Sequence, residues 1–582
     1  MSGDILLEAN KPGRYIGREW NVPDKDFAGS KVRFALAFPD LYEVGMSNLG
    51  IRILYGILNG IPGVSCERVF SAGEDFEKVL RANGREIFSL ETKSRLRDFD
   101  LLGFSLGSEL DYTNVLNMLD LGSLPLKAVE RDNSYPLVVG GGPCALNPEP
   151  MHEFFDIFVI GEAEELLPEL VDLYGRHKDE FRKGRMKKED LLILFSGIEG
   201  VYIPSLYNVE YSDPGWIEKF SPAKDGVPAV VRKRIVKDLD KTVFPLEWLV
   251  PYIQIIHDRI TVEVMRGCPN RCRFCQARSQ YFPLRLRSLS TIELLAQELY
   301  KRTGYEELSL CGLSVGDYPR VEELLTHLME LFRDKAVSVS LPSLKARLML
   351  GRLSTLIASV KKTGLTFAPE AGSARLRDML AKDFKEDEFF AVLEEAYRSG
   401  YRHVKLYFMI GLPTEQDEDL DAIIDLSVRV SELKRKTGKG PAQVNISINT
   451  LIPKPHTPLQ WFKMEDMDSV LRKQRYLKER ARNRKLELSF HDHRMSFLEG
   501  VLARGDRRLG SVILNAYKNG ARFDAWSASF SFEKWLSAFQ EAGIDPCLYL
   551  KGRSSDELLP WDFIDTGIEK DALVSEFKLA PL

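Results

Sequence analysis

The chain has 582 residues, 44% of them apolar and 28% charged, with a formal net charge of -5. That length exceeds what one hydrophobic core fills, so two or three domains are expected, and the composition excludes wholesale disorder and fibrous classes. The slight acidity gives no overall attraction to phosphate backbones or anionic membranes. No apolar run approaches the roughly 20 residues of a membrane-spanning helix, and the N-terminus MSGDILLEANKPG lacks the pattern of a signal peptide, which predicts a cytoplasmic protein.

From 32 to about 180, apolar runs alternate with helical patterns: VRFALAF, IRILYGILNG, LLGFSL, PLVVGGG and DIFVIGE. That order predicts an α/β, Rossmann-like domain over 1–180 with a mostly parallel sheet. Ligands of such sheets sit at the strand carboxyl ends, where Asp40, Ser105, Gly140, Gly141 and Gly142 would lie. From 181 to 250 the periodicity weakens into the basic stretch RKGRMKKED and short β-like pieces such as GVYIPSLYNVEY, a connecting region. Over 251–464 six β-type runs recur with helices between them: TVEVMRGC, ELSLCGL, VSVSLP, LTFAPE, HVKLYFMIGLP and QVNISINTLIP. Six units fall short of the eight of a closed barrel and predict a partial (β/α)6 barrel with its mouth at the strand carboxyl ends. Ser290 and Glu293 have capping-box spacing and predict a helix start just after the first strand's loop. From 465 to 582 the chain turns basic and helical, then passes through Trp526, Trp535 and Trp561, a small, mainly helical C-terminal domain.

Of seven cysteines, Cys268, Cys272 and Cys275 fall within eight positions, unlike a secreted disulfide framework. Their Cys-x3-Cys-x2-Cys spacing lets three thiolates converge on one centre. Structural zinc takes four protein ligands, usually in two separated pairs, and no second pair lies nearby. A cubane iron-sulfur cluster commonly takes four cysteines, and with three supplied one iron keeps an open position where a substrate or cofactor binds.

The whole loop, MRGCPNRCRFCQARSQYFP with Phe274 directly before the last cysteine, resembles that of the radical S-adenosylmethionine (SAM) superfamily. The resemblance implies a 4Fe-4S cluster on the three cysteines, with SAM chelated at the free iron. It also implies reductive cleavage of SAM to a 5'-deoxyadenosyl radical that takes hydrogen from a substrate, with a flavodoxin or ferredoxin as electron donor. In CGLSVGDYP, Gly312, Ser314, Gly316 and Asp317 resemble the glycine-rich segment set against the methionine amino group, although a plain turn uses the same residue types. In APEAGSARLR, Glu370 and Ser373 resemble the segment that binds the ribose and the methionine carboxylate region; a helix cap by Ser373 with Glu370 exposed is the alternative. In KLYFMIGLPTE and IPKPHTPLQW, the backbone of Ile410 and Gly411 and the loop near Ile452 become adenine neighbours, with Lys454 and His456 facing substrate.

Many members of the superfamily carry a cobalamin domain ahead of the barrel, marked by Asp-x-His-x-x-Gly, a later serine segment and Gly-Gly. Here Asp40-Leu41-Tyr42-Glu43-Val44-Gly45, Ser105 or Ser108, and Gly140 to Gly142 correspond. Tyr42 stands where the motif has histidine, and a phenol is a poor cobalt ligand beside imidazole. Cobalamin without a lower protein ligand, and a sheet that only supports substrate binding, both stay open. PDLYEVGMSNLG, GGGPCALNPEP, APEAGS, IGLPTE, IPKPHTPLQW and RGDRRLG together are similar to an uncharacterised bacterial radical SAM family with such an N-terminal region. A methylthiotransferase would need a second cluster in the N-terminal domain, where only Cys66 and Cys144 occur.

Membership implies no particular substrate, small or macromolecular. Cobalamin-assisted methyl transfer, cobalamin-independent hydrogen abstraction or rearrangement, and a non-catalytic cluster-bearing sensor are the competing readings. The run LRKQRYLKERARNRK over 471–485 has eight basic residues against one acidic and reads as a solvated helix face or a contact with RNA or an acidic partner. His491, Asp492 and His493 would hold a metal only if both rings faced one side, as on a strand. RGDRR and the tryptophans line substrate or pack against the barrel.

Overall fold

The computed structural model describes residues 3–212, 215–340, 365–437, 440–482 and 484–580. Leu341 and Pro342 of the third barrel run and Asn483 of the basic run lie outside them.

The N-terminal sheet contains β1 (Val32–Phe38), β2 (Val64–Phe70), β3 (Leu101–Ser105), β4 (Leu137–Gly141), β5 (Ile157–Val159) and β6 (Val201–Tyr202), in the order β2-β1-β3-β4-β5-β6. All neighbours are parallel except the antiparallel β5–β6 pair, so the Rossmann-like α/β reading holds. Sequence reading passed over β2, because Glu67 and Arg68 interrupt its apolar run. Both are buried, and the Arg68 guanidinium donates to Glu19 (2.9 and 2.7 Å) and to Glu91 (2.7 Å). A buried cation is tolerated only when paired in this way. The connecting region contributes β6 to this sheet, then a hairpin of β7 (Tyr207–Tyr211) and β8 (Ile217–Pro222), then β9 (Val231–Arg232).

The barrel opens with β10 (Ile260–Glu263), followed by a short antiparallel pair, β11 (Met265–Arg266) and β12 (Arg285–Leu286), that frames the cysteine loop. β13 (Glu307–Cys311) and β14 (Ser338–Ser340) extend β10 into one parallel sheet. β15 (Leu365–Glu370), β16 (His403–Ile410), β17 (Gln443–Thr450) and β18 (Leu486–Phe490) make a second parallel sheet. All six runs appear as strands, and β18 is a seventh that reaches the barrel from beyond residue 464. Among the described residues the two sheets share no ladder, so the barrel is open. The helix after the cysteine loop, Leu289–Thr303, is capped by Ser288, whose hydroxyl accepts the Thr291 N–H at 3.3 Å. The expected cap at Ser290 is therefore corrected by two positions, and Glu293 instead meets His327 at 2.7 Å.

Beyond 464 the chain is mainly helical, with Met467–Arg480, His493–Ala503, Leu509–Lys518, Phe532–Ala542 and Lys570–Lys578, while β19 (Ile564–Asp565) pairs with β9. These helices divide among the cores: Val470 and Leu477 lie in that of the barrel, and Leu573 in a small cluster with Trp461, Leu559 and Trp561. Phe497, Leu498, Val501, Val512 and Trp535 lie in one continuous hydrophobic core with the N-terminal sheet, each such side chain contributing about 1.5–3 kcal/mol. The barrel has a separate core. Arg504, of the RGDRR segment, donates to the carbonyls of Pro453, Gln460, Tyr549 and Lys551, so this segment ties the C-terminal helices to the barrel's last loop. No helix among the described residues is long and apolar enough to cross a membrane.

Candidate cofactor site at the barrel mouth

Cys268, Cys272 and Cys275 follow directly from the carboxyl end of the first barrel strand and are partly exposed. Gly267 begins the loop at φ +88°, where an added Cβ would stand 2.8 Å from backbone atoms of Tyr281, Pro283 and Leu284, so only glycine lets the loop fold back on itself. Asn270 Nδ2 donates to Cys268 Sγ at 3.2 Å and to Asp317 Oδ2 at 3.0 Å. Ser314 Oγ donates to the same Asp317 oxygen at 2.7 Å, so the segment after β13 is fastened to the cysteine loop. Gly312 packs closely on Met265. Gly316 is buried in the short turn that ends at Asp317.

Phe274 packs on an apolar cluster that contains Ala371, Leu412 and Leu451, which follow β15, β16 and β17, together with Leu376 and Met379 of the helix after β15 and Leu380 at its end. The loop therefore shares one mouth with the later strands. Glu370 ends β15 at φ +70°, a left-handed conformation that is unusual away from glycine, and its carboxylate pairs with Lys382 at 3.1 Å. Burial holds the Glu370 carboxyl above the ordinary carboxylate range. Ser373 caps the helix Ala374–Met379 and donates to Asp419, so its hydroxyl is committed within the chain. Ile410 is buried at the end of β16; Gly411 follows at φ +78°, its N–H bonded to Glu415 at 2.9 Å, and Ile452 is half-buried in the loop after β17. Beside Gly411, the hydroxyl of Thr450 is buried with no hydrogen-bond partner. An orphaned donor-acceptor at a strand end is a group held ready for a ligand. Its signal in the sequence was its place as the last residue of the QVNISINT run.

Burial pushes the Cys272 thiol up to about 11, against the pull of Lys382, and raises Cys275 as well. The loop by itself keeps these thiols protonated at neutral pH, and a metal centre supplies the charge that removes their protons. No three His, Cys, Asp or Glu side chains among the described residues converge tightly enough for a single ion.

The loop is braced from three sides by residues that spacing alone did not mark. Arg266, just before it, pairs with Glu162 (3.2 Å) and Glu164 (2.6 Å) of the N-terminal domain. Arg285, just after it, makes a bidentate pair with Glu162, both contacts at 2.7 Å. Lys233 of the connecting region donates to the carbonyls of Ser279, Gln280 and Phe282, and Arg278 forms two 2.7 Å bonds with Glu576 near the end of the chain.

The strand ends of the N-terminal sheet are arranged differently. Tyr42 is 2% exposed, donates to Glu19 at 2.8 Å and stacks edge-on against Phe70. It is enclosed in the domain core, so the residue that replaces the motif's histidine does not fit a cobalt ligand. Trp526 of the C-terminal domain donates to Asp40 at 3.0 Å, Asn147 donates to the carbonyls of Ala503 and Gly505, and His456 bonds the Leu146 carbonyl at 3.1 Å. Ser105 ends β3, Ser108 accepts the Leu110 N–H, and Gly140 to Gly142 lead from β4 into the turn Pro143–Leu146. Lys454 donates to both oxygens of Glu109 (2.8 and 2.9 Å) and pairs with Glu499 at 2.8 Å. Lys454 and His456 therefore join domains. His491 bonds Ser496, and Asp492 caps the helix His493–Ala503, so this trio is a helix start. In the basic run, Lys473, Arg472, Tyr476 and Arg480 bond Glu415, Asp417 and Asp421 of the same chain.

Parallel β/α units that carry a three-cysteine loop at their carboxyl ends, with polar strand termini around it, make the barrel mouth the candidate cofactor site. Residues 262–427 match the family model for the radical SAM superfamily, and residues 50–204 match that for radical SAM proteins, N-terminal. The chain belongs to the radical SAM superfamily, whose members use a 4Fe-4S cluster and SAM. It is 29% identical over 512 residues to the uncharacterized protein MJ0966 of Methanocaldococcus jannaschii, covering 88% of this chain and 97% of that one. Among solved structures it is similar to the radical SAM methyltransferase TsrM of Kitasatospora setae with cobalamin and a [4Fe-4S] cluster bound (13% identity, TM-score 0.45, 72% of this chain and 75% of that one). It is also similar to the cobalamin-dependent SAM radical enzyme OxsB with aqua-cobalamin and SAM bound (13% identity, TM-score 0.47, 88% and 71%).

Proposed function

We propose that the protein is a cytoplasmic radical SAM enzyme that cleaves SAM reductively and passes hydrogen-abstracting reactivity to a substrate bound at the barrel mouth. Cys268, Cys272 and Cys275 would hold the 4Fe-4S cluster, which would supply a binding site for SAM and the electron for its reductive cleavage. The loop's own residues do the rest. Asn270 and Asp317 fix its shape, Glu370 and the Thr450 hydroxyl offer polar contacts to the nucleoside, and the wall around Phe274 excludes water from the reacting end. A flavodoxin or ferredoxin fits the need for an external electron. The observation that supports the reading is that Phe274 of the cysteine loop packs on the apolar cluster that contains Ala371, Leu412 and Leu451, which follow β15, β16 and β17. Replacing any one of these cysteines by alanine is expected to abolish 5'-deoxyadenosine formation with dithionite while the circular dichroism spectrum stays native. Undiminished product from such a variant contradicts the assignment.

The enclosure of Tyr42 disfavours only cobalamin whose cobalt takes a protein ligand, so methyl transfer through cobalamin without a lower protein ligand and hydrogen abstraction or rearrangement without cobalamin are the two readings to separate. Anaerobic incubation with hydroxocobalamin followed by gel filtration separates them: a stoichiometric corrin spectrum in the protein peak supports the first, and colourless protein the second. A cluster-bearing sensor without turnover is the reading that remains if no 5'-deoxyadenosine forms at all.

A further inference from the structure

Asp111 stands at the N-cap position of the helix Tyr112–Leu121, on the turn Glu109–Asp111 that follows the carboxyl end of β3. An aspartate there ordinarily accepts an N–H from the first helical turn. Asp111 makes no such bond: it is 6% exposed, and its Oδ1 has no partner of any kind. Burial, with the charges of Asp40, Glu109 and Asp524, holds its carboxyl well above the ordinary range. Lys454, which bonds Glu109 of the same turn, also pairs with Glu499. Asp40 and Asp524 are fixed by Trp526 and Thr113, at 3.0 and 2.7 Å. Next to Asp40, whose carbonyl accepts the Ser71 N–H at 3.0 Å, the Ser71 hydroxyl is also buried and unpartnered.

A carboxyl that is desolvated, left without a hydrogen bond and set among like charges weakens the fold, and an arrangement of this kind persists where a ligand uses it. A single metal ion does not suit it, because no three of the carboxylates converge on one point among the described residues. A larger cation with several donors does. The turn that carries Asp111 also carries Glu109, which holds Lys454 two residues past Ile452, so the group lies between the N-terminal strand ends and the barrel mouth.

Building on the reading that the barrel mouth receives the substrate, we propose that Asp111 binds a protonated nitrogen of that substrate, a primary ammonium group. The test uses full-length, anaerobically reconstituted protein without SAM, its thermal unfolding followed by calorimetry with 1,5-diaminopentane as probe. Pentane-1,5-diol and sodium chloride of matched ionic strength serve as controls. The diamine is expected to raise the melting temperature saturably, and the diol and the salt are not. Asp111→Asn is expected to melt higher than the wild type without ligand, and to bind the diamine about ten-fold or more weakly, the loss of one charge-assisted hydrogen bond. A lower melting temperature for the variant identifies a structural carboxylate and overturns the proposal. So does an equal diamine effect in both proteins, or none in the wild type. Neither readout involves SAM, so absence of 5'-deoxyadenosine from the wild type refutes the radical reading separately.

Discussion

The barrel mouth and the carboxyl-end edge of the N-terminal sheet are built on the same topology, parallel strands that stop where helices begin, yet they have been put to different uses. At the barrel mouth the strand ends leave thiols partly exposed, hold Glu370 in a left-handed conformation and keep the Thr450 hydroxyl unpartnered. At the N-terminal edge the corresponding positions are largely engaged by the chain itself: Asp40 by Trp526, Asn147 by Ala503 and Gly505, Glu162 by Arg266 and Arg285. Topology fixes where a ligand can sit in such sheets, and the side chains at the strand ends decide whether one does. Through Glu162 and Glu164 the N-terminal domain braces the cysteine loop, while Asp111 Oδ1 and the Ser71 hydroxyl are left without hydrogen-bond partners.

The strongest way to break this division of labour is to cut the link between the two regions. Arg285→Ala leaves Glu162 buried with Arg266 as its remaining charged partner, and loss of one member of a buried pair costs about 3–5 kcal/mol. Urea denaturation is expected to show that loss together with reduced iron retention after reconstitution. A variant of wild-type stability that keeps its iron would mean that the N-terminal domain does not brace the loop.

A smaller effect comes from pH. Burial lowers the pKa of His456, which bonds the Leu146 carbonyl across the same boundary, from 6.5 to about 4. In the unfolded chain the ring takes up a proton near 6.5, so its contribution to stability is complete above that pH and is lost as pH falls towards 4, about 3 kcal/mol in all. His456→Gln is expected to flatten the fall in unfolding free energy between pH 6.5 and 4. His152, whose pKa burial lowers to about 3, keeps its own share of that slope. Parallel pH profiles for the two proteins would show that the ring already titrates normally in the fold.

Much of the barrel was legible because its strands are continuous apolar runs and its cysteines are close in sequence. The same reading lost β2 to a buried arginine, and it took β18 for part of the helical domain because LELSF follows a long basic helix. It could not foresee that C-terminal helices complete the N-terminal core, since periodicity shows that a face is buried without showing what buries it. Lys454 and His456 were read as substrate-facing because of their loop, and they face Glu109 and Leu146 across the domain boundary. Glu576 carries no sequence signal at all, as its partner Arg278 lies almost three hundred positions earlier.

The most direct test is electron paramagnetic resonance of the dithionite-reduced, anaerobically reconstituted protein, recorded before and after SAM is added. The account predicts the signal of one four-iron centre per chain, shifted by SAM and absent when Cys272 is replaced by alanine. A missing four-iron signal, or one that SAM leaves unchanged, would contradict it.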